Sequence, residues 1–319
     1  MPDYSKHPLN RSYDLDTALS TIWEFYKKWF YSLFVISFVF SLITTYLSGK
    51  VNMSEIYSVT DPQEMMEILG SLIGPYALII LFTFTFTLIL QYYVIIKPLE
   101  PESTIFSIAS TAIIKFFLPL LILNIILGIV AVISIMLGFF IFIVGALFAL
   151  VYIVMLAAFI GPVLMIEDNG IGDTINNSIK LAHKRFWPNI GWVAVFGILL
   201  IVVSFILNAV IMIPFGGSFM KTITNPDNAG EVLNIASRPS FILLSSLANA
   251  VTMPLFPIFS LVLYFNARSG AGNRVSSDKP GRNEGGKVKI EDLYAPRKDR
   301  KKELNKKPDK GPTIEDLMP

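Results

Sequence analysis

No cysteine occurs in the 319 residues, which excludes disulfides, thiol chemistry and thiolate metal sites. Histidine is almost missing as well: His7 and His183 are the only two. Charged residues make up 16%, against roughly 25% in an average soluble domain, while 53% are hydrophobic and the mean hydropathy is +0.60. These values point to a polytopic membrane protein. Three nucleotide and catalytic signatures are also missing: the Walker loop, G-x-S-x-G and H-E-x-x-H. The long apolar runs carry no Asp, Glu, Lys, Arg or His at mid-depth. Placing such a group there costs about 2.5–3.5 kcal/mol or more, and it usually marks an ion or proton path. A proton-coupled pump is therefore disfavoured. No cleavable signal peptide is evident, since the first apolar run begins near Phe30 behind a polar segment and reads as an uncleaved span.

What the chain does have is a repeated grammar. A mixed polar and apolar run opens at Asp173-Thr174, reaches the corner Lys184-Arg185-Phe186-Trp187, and passes through Pro188 into an apolar stretch. Asp16-Thr17 opens a run of the same kind that ends at Lys27-Lys28-Trp29-Phe30. Ser103-Thr104 opens a weaker copy ending at Lys115-Phe116-Phe117. The chain reads as three units, each a surface helix, a basic-aromatic hinge and a span. The interfacial helices are expected at 14–29, 103–115 and 173–187. Apolar positions Ala18, Ile22, Phe25, Tyr26 and Trp29 recur at helical spacing in the first. Ile175, Ile179, Ala182 and Phe186 form the expected buried face of the third.

A crossing helix takes roughly 20 mostly apolar residues. Spans are expected at 31–47, 71–96, 117–136, 139–166, 190–213 and 240–264. The uncharged run 117–166 is too long for one crossing, so a tight turn is placed near Leu137-Gly138. Residues 1–13 read as a loose N-terminus. The expected fold is thus all-α: six transmembrane helices, three interfacial amphipathic helices and a disordered C-terminal tail. The presumed outer loops hold only Lys50, Lys221 and Arg238 of the 26 basic residues. The positive-inside rule then predicts an inner-membrane protein with both termini in the cytoplasm, its corners against an anionic leaflet.

The tail, 266–319, loses apolar periodicity and predicts disorder. Two near-copies interrupt it, Ile290-Glu291-Asp292-Leu293 and Ile314-Glu315-Asp316-Leu317. Acidic-apolar islands in duplicate suit docking onto a protein partner, since the second copy raises effective concentration. No nucleic-acid partner is expected.

The densest polar cluster is Glu167, Asp168, Asp173, Asn176, Asn177, His183, Lys184 and Arg185. A carboxylate pair near a histidine can bind metal or activate water. Yet Asp173 to His183 spans almost three turns and no second histidine stands near, so a capped interfacial helix is the simpler reading. No catalytic, cofactor or metal residues are expected. In the spans, Thr83, Thr85 and Thr87 are expected to bond back to their own helix, and Asn124 and Asn208 to bond across helices.

The run Gly161-Pro162-Val163-Leu164-Met165-Ile166-Glu167, then Gly170, Asp173, Ser178, Lys184-Arg185-Phe186-Trp187 and Gly191, resembles a known pattern. It is similar to the membrane domain attached to some glycerophosphodiester phosphodiesterases and to the YciC-like six-span inner-membrane proteins. There a proline in a span end precedes an acidic-Gly turn, an amphipathic helix and a basic-aromatic corner. Pro162, Glu167, Gly170, Ser178, Lys184 and Trp187 would hold those roles. The resemblance implies an all-helical six-span domain with no established activity. The phosphodiesterase chemistry belongs to a separate soluble barrel that this chain does not supply. The function expected is non-enzymatic: organising or scaffolding an envelope or lipid-related process, with a partner-docking tail. The alternative is a transporter or scramblase for lipids or other apolar solutes. A membrane enzyme built around Glu167 and His183 is the third reading.

Overall fold

The structure is a computed structural model and describes residues 2–51, 61–217 and 234–269. The tail islands at 290–293 and 314–317 and the loop carrying Lys221 lie outside the described residues. All described residues fall in one compact unit. It is helical, without a strand among the described residues: α1 (Leu15–Lys50), α2 (Pro62–Ile96), α3 (Ile105–Phe139), α4 (Phe142–Glu167), α5 (Ile171–Lys184), α6 (Phe186–Met212), α7 (Pro239–Thr252) and α8 (Leu255–Ser269). Six segments are long and apolar enough to cross a membrane, the last being α7 and α8 taken together.

The helices run alternately up and down, so the bundle has two ends. Lys97, Lys115, Lys184, Arg185 and Arg268 fall at one, here the basic end. Lys50 and Arg238 fall at the other, where Ser237 Oγ donates to the Gly49 carbonyl at 2.7 Å.

The three units do not fold alike. α1 runs without interruption through Lys27-Lys28-Trp29-Phe30, and α3 through Lys115-Phe116-Phe117. The expected interfacial helices 14–29 and 103–115 are therefore the opening turns of spans, not separate helices. Only the third unit breaks, with Arg185 at φ −134°, ψ 56° between α5 and α6. Pro188 leaves the Lys184 carbonyl without an N–H and its ring would crowd that carbonyl. Proline alone does not decide, because Pro75, Pro119 and Pro162 sit inside continuous helices. The buried Asn189 completes the stop. Its Nδ2 donates to the carbonyls of Ala182 at 3.0 Å and Leu181 at 3.3 Å, satisfying the open end of α5. Its counterparts in the other units are Ser32 and Pro119.

The hairpin between α3 and α4 turns at Phe140-Ile141, not at Leu137-Gly138. Gly138 serves close approach instead. A Cβ there would lie 2.7 Å from the Gly145 carbonyl oxygen and the Ala146 nitrogen of the facing helix. The sixth span is also interrupted, at Met253-Pro254. Pro254 and Pro257 have no N–H for the carbonyls of Ala250 and Met253, four residues back. Tyr26 Oη of α1 donates to the Val251 carbonyl beside the break, at 3.0 Å.

The N-terminal segment is the largest departure from expectation. Residues 2–14 fold back over the basic end, where Leu9, His7 and Tyr13 are buried. Tyr13 N–H donates to Asn266 Oδ1 at 2.9 Å, and Ser269 Oγ to the Arg11 carbonyl at 3.3 Å. His7 stacks on Phe265, ring centroids 5.4 Å apart, and faces Phe25 at 6.2 Å. Its Nδ1 accepts from Leu9 N–H at 3.2 Å, so the proton sits on Nε2 and points at the Val94 carbonyl, 3.3 Å away. Burial lowers the His7 pKa to about 4, against a smaller opposing effect of the Val94 carbonyl.

Inside the bundle, the Thr83, Thr85 and Thr87 hydroxyls bond to the carbonyls of Ile79, Leu81 and Thr83, as expected. Asn124 and Asn208 depart from expectation. Each donates to its own helix, to Leu120 at 2.9 Å and Ser204 at 2.7 Å, because an i−4 carbonyl is nearer than any neighbour. The cross-helix bond comes from Gln91, whose Nε2 donates to Ser260 Oγ at 3.3 Å. Ser260 passes the chain on to the Ala158 carbonyl. Gly161 makes this possible, since any Cβ there would collide with the Gln91 side chain.

Candidate functional site

α4 ends at Glu167, and Asp168 takes a left-handed conformation, φ 52°, ψ 39°. Aspartate tolerates that region better than most residues. The reversal sends Asn169 and Gly170 into α5, with Gly170 as its N-cap and Asp173 in its first turn. The two adjacent carboxylates are thereby aimed at different partners. Asp168 Oδ1 meets Lys115 Nζ of α3 at 2.8 Å, tying two spans together at the basic end. Glu167 turns towards α5 and α8. Its Oε2 accepts from Asn169 Nδ2 at 2.9 Å and Asn177 Nδ2 at 3.0 Å. Its Oε1 accepts from Tyr264 Oη at 3.0 Å and pairs with Arg268 Nη1 at 3.6 Å. Arg268 also donates to Tyr264 Oη, one helical turn back.

α5 shows three faces: a buried stripe of small residues, a partly exposed apolar side with Ile175 and Ile179, and a polar side. Thr174, Ser178 and Ala182 form the buried stripe and let α5 lie close on α4. The expected buried face is thus corrected: Ala182 is fully buried, Ile175 only partly, and Ile179 is 41% exposed. The small residues win because α5 must seat between the ends of larger apolar helices. Asn177, Lys180, Leu181 and Lys184, at i, i+3, i+4 and i+7, make the third face. They line an open cleft of about 770 Å³ with Ile166, Glu167, Phe265, Arg268 and the folded-back Tyr4, Ser5 and Asn10. Tyr4 Oη donates to the Met165 carbonyl at 3.4 Å, and burial raises the Tyr4 pKa to about 12. Asn10 Nδ2 donates to the Ser5 carbonyl at 3.2 Å.

His183 is not part of this cleft. It stacks on Phe186 at 5.4 Å, its Nδ1 lies 2.9 Å from the Ile179 carbonyl, and its Nε2 lies 3.5 Å from Tyr152 Oη. The polar cluster read from sequence is therefore divided. Glu167 and Asn177 stand on one side, Asp168 stands with Lys115, and His183 stands in an aromatic group with Tyr152, Phe148, Phe186 and Trp187. Among the described residues, no three of His, Asp and Glu stand close enough to share a metal ion.

The other corners keep their cations beside rings. Lys27 Nζ lies 5.9 Å from the Trp23 ring, Lys28 Nζ 5.9 Å from Trp29, and Lys115 Nζ 5.2 Å from Phe116. Of the motif residues, Pro162 is buried within α4, Glu167 is the hub, and Ser178 lies against α3 and α4 beside a small apolar cavity. Tyr264, Arg268, Tyr4 and Asn10 were missed by sequence reasoning. Tyr264 and Arg268 had a signal, an i, i+4 polar pair closing the last apolar run. The N-terminal residues had none. No family model, curated protein or solved structure matches the chain.

Proposed function

We propose that this chain is a non-enzymatic integral protein of the cytoplasmic membrane that organises an envelope or lipid-related process. Its basic end would face the cytoplasm and contact anionic lipid, and residues 270–319 would recruit a protein partner. The expected tail start at 266 is corrected, because α8 runs to Ser269 and Asn266 and Arg268 are held by Tyr13 and Glu167. The likeness to the YciC-like membrane proteins and the phosphodiesterase-linked membrane domains belongs to the same reading. One observation carries most weight. Two adjacent carboxylates at the basic end, Glu167 and Asp168, are engaged by Tyr264, Arg268, two asparagines and Lys115, while Lys180 and Lys184 face outward into an open cleft. Groups held in this way build a docking surface better than they move protons. Deletion of 270–319, which spares α8, followed by cross-linking and pull-down from native membranes tests the recruiting role. Loss of specific co-purifying proteins is expected, and an unchanged set removes that role.

A second reading, lipid or apolar-solute transport, has its own support. The sixth span is discontinuous at Met253-Pro254, and a crevice of about 290 Å³ there is lined by Thr87, Leu90, Leu200, Ser204 and Phe256, among others. Broken spans recur at the binding sites of transporters. Reconstitution into vesicles with labelled phospholipids discriminates, since transfer at the background rate would remove this reading.

A further inference from the structure

We propose that the cleft between α4, α5, α8 and residues 2–14 is a binding site for the phosphate-bearing headgroup of an anionic glycerophospholipid. The proposal rests on the membrane reading above but not on the tail. Its volume, about 770 Å³, is that of a small-molecule site.

The charge in the cleft is not balanced. Glu167 is its one carboxylate, and its oxygens already hold Asn169, Asn177, Tyr264 and Arg268. Arg268 is thus both neutralised and fixed in position. Lys180 and Lys184 have no carboxylate within 4 Å among the described residues. They lie one turn apart on the same face of α5, so both ammonium groups converge on one region of the cleft. An ammonium on a flexible stem suits phosphate as a point charge that moves to meet its oxygens.

The rest of the lining selects the kind of phosphate. Ile166, Leu181 and Phe265 form an apolar wall beside the cations. A free phosphate has nothing to place against that wall, whereas a glycerol backbone and the start of its acyl chains do. The cleft also lies at the ends of α4 and α8, where the apolar run of each helix gives way to Glu167 and Arg268. A choline or ethanolamine group would bring a further cation beside Lys180 and Lys184, with the only carboxylate already occupied. That disfavours zwitterionic lipid.

The full chain, purified in a mild non-phospholipid detergent, is titrated with phosphatidylglycerol or phosphatidylcholine and read by native mass spectrometry. Wild type should bind one phosphatidylglycerol more tightly than any phosphatidylcholine. K180Q/K184Q should weaken phosphatidylglycerol about thirtyfold, roughly fivefold per lysine, and leave phosphatidylcholine unchanged. L181W keeps both cations but fills the cleft, and should give a comparable loss. K50Q, at the opposite end of the bundle, should bind as wild type does. Equal phosphatidylglycerol affinity in wild type and K180Q/K184Q overturns the proposal. So does inorganic phosphate that displaces the lipid at comparable concentration, which would make this a free-phosphate site. A chain that stays dispersed without detergent would instead refute the membrane reading itself.

Discussion

α2 changes character along its length. From Leu88 to Ile96 nearly every residue is buried, and Gln91 bonds across to α8. From Leu69 to Leu81, by contrast, Leu69, Ile73, Leu78, Ile80 and Leu81 are exposed. α4 repeats the contrast in reverse order. Ile143, Val144 and Leu147 are exposed near its start, and Phe159 to Ile166 are buried at its end. In α2 and α4 the halves nearer the basic end are packed like the core of a water-soluble protein and stitched by polar bonds. The far half leaves its apolar surface to the surroundings. In water so much apolar surface would drive aggregation. In hydrocarbon it lacks any drive to bury, so the helices there need only touch.

The contrast can be broken most directly at two phenylalanines of the same chemistry. Phe159, fully buried in α4, should lose about 4 kcal/mol of stability on Phe159→Ala, as large cavities do. Reversible unfolding in mixed micelles measures it. A loss below about 1 kcal/mol would mean the basic half is not a packed core.

A second test uses proton concentration. The pKa of His7 is lowered in the docked state to about 4 from an ordinary 6.5, so the docked segment binds fewer protons than the free one. Docking is therefore at full strength above about pH 6.5 and weakens as pH falls towards 4, by about 3 kcal/mol in all. The protection factors of residues 2–14, exchange rates corrected for their intrinsic pH dependence, should fall across that window in wild type. They should be flat with pH in His7→Asn. Protection that does not change between pH 7 and pH 4 would count against a buried neutral imidazole.

Glu167→Ala comes next. It strands the Tyr264 hydroxyl, two asparagine amides and Arg268, and should lower stability by about 2 kcal/mol. Glu167→Gln should recover part of that loss. The smallest effect is expected at Phe205, 74% exposed on α6, where Phe205→Ala should change stability by no more than about 0.5 kcal/mol. A larger loss there would show that Phe205 is packed and that the contrast between the two halves does not hold.

The spans were legible because a bilayer leaves few ways to satisfy a backbone, and apolar length alone reveals them. Glu167 was legible as a member of the polar cluster and Lys115 as a corner residue because charge is rare in this chain. Helix continuity was not legible. Lys27-Lys28-Trp29-Phe30 and Lys184-Arg185-Phe186-Trp187 look alike, and the difference rests on Pro188 together with the side-chain bonds of Asn189. The docking of residues 2–14 was not legible either. It depends on Asn266, His7 and Phe265 meeting across most of the sequence, and no local pattern announces a contact at that range.

The clasp of Tyr13 onto Asn266, 253 positions apart, also sets an order of events. During synthesis the strap emerges from the ribosome long before the helix it must grip, and it waits with Leu9 and an unshielded imidazole in water. The clasp itself can therefore close only after the sixth crossing is in place. A nascent chain arrested before residue 255 should carry the five earlier crossings and an open floor.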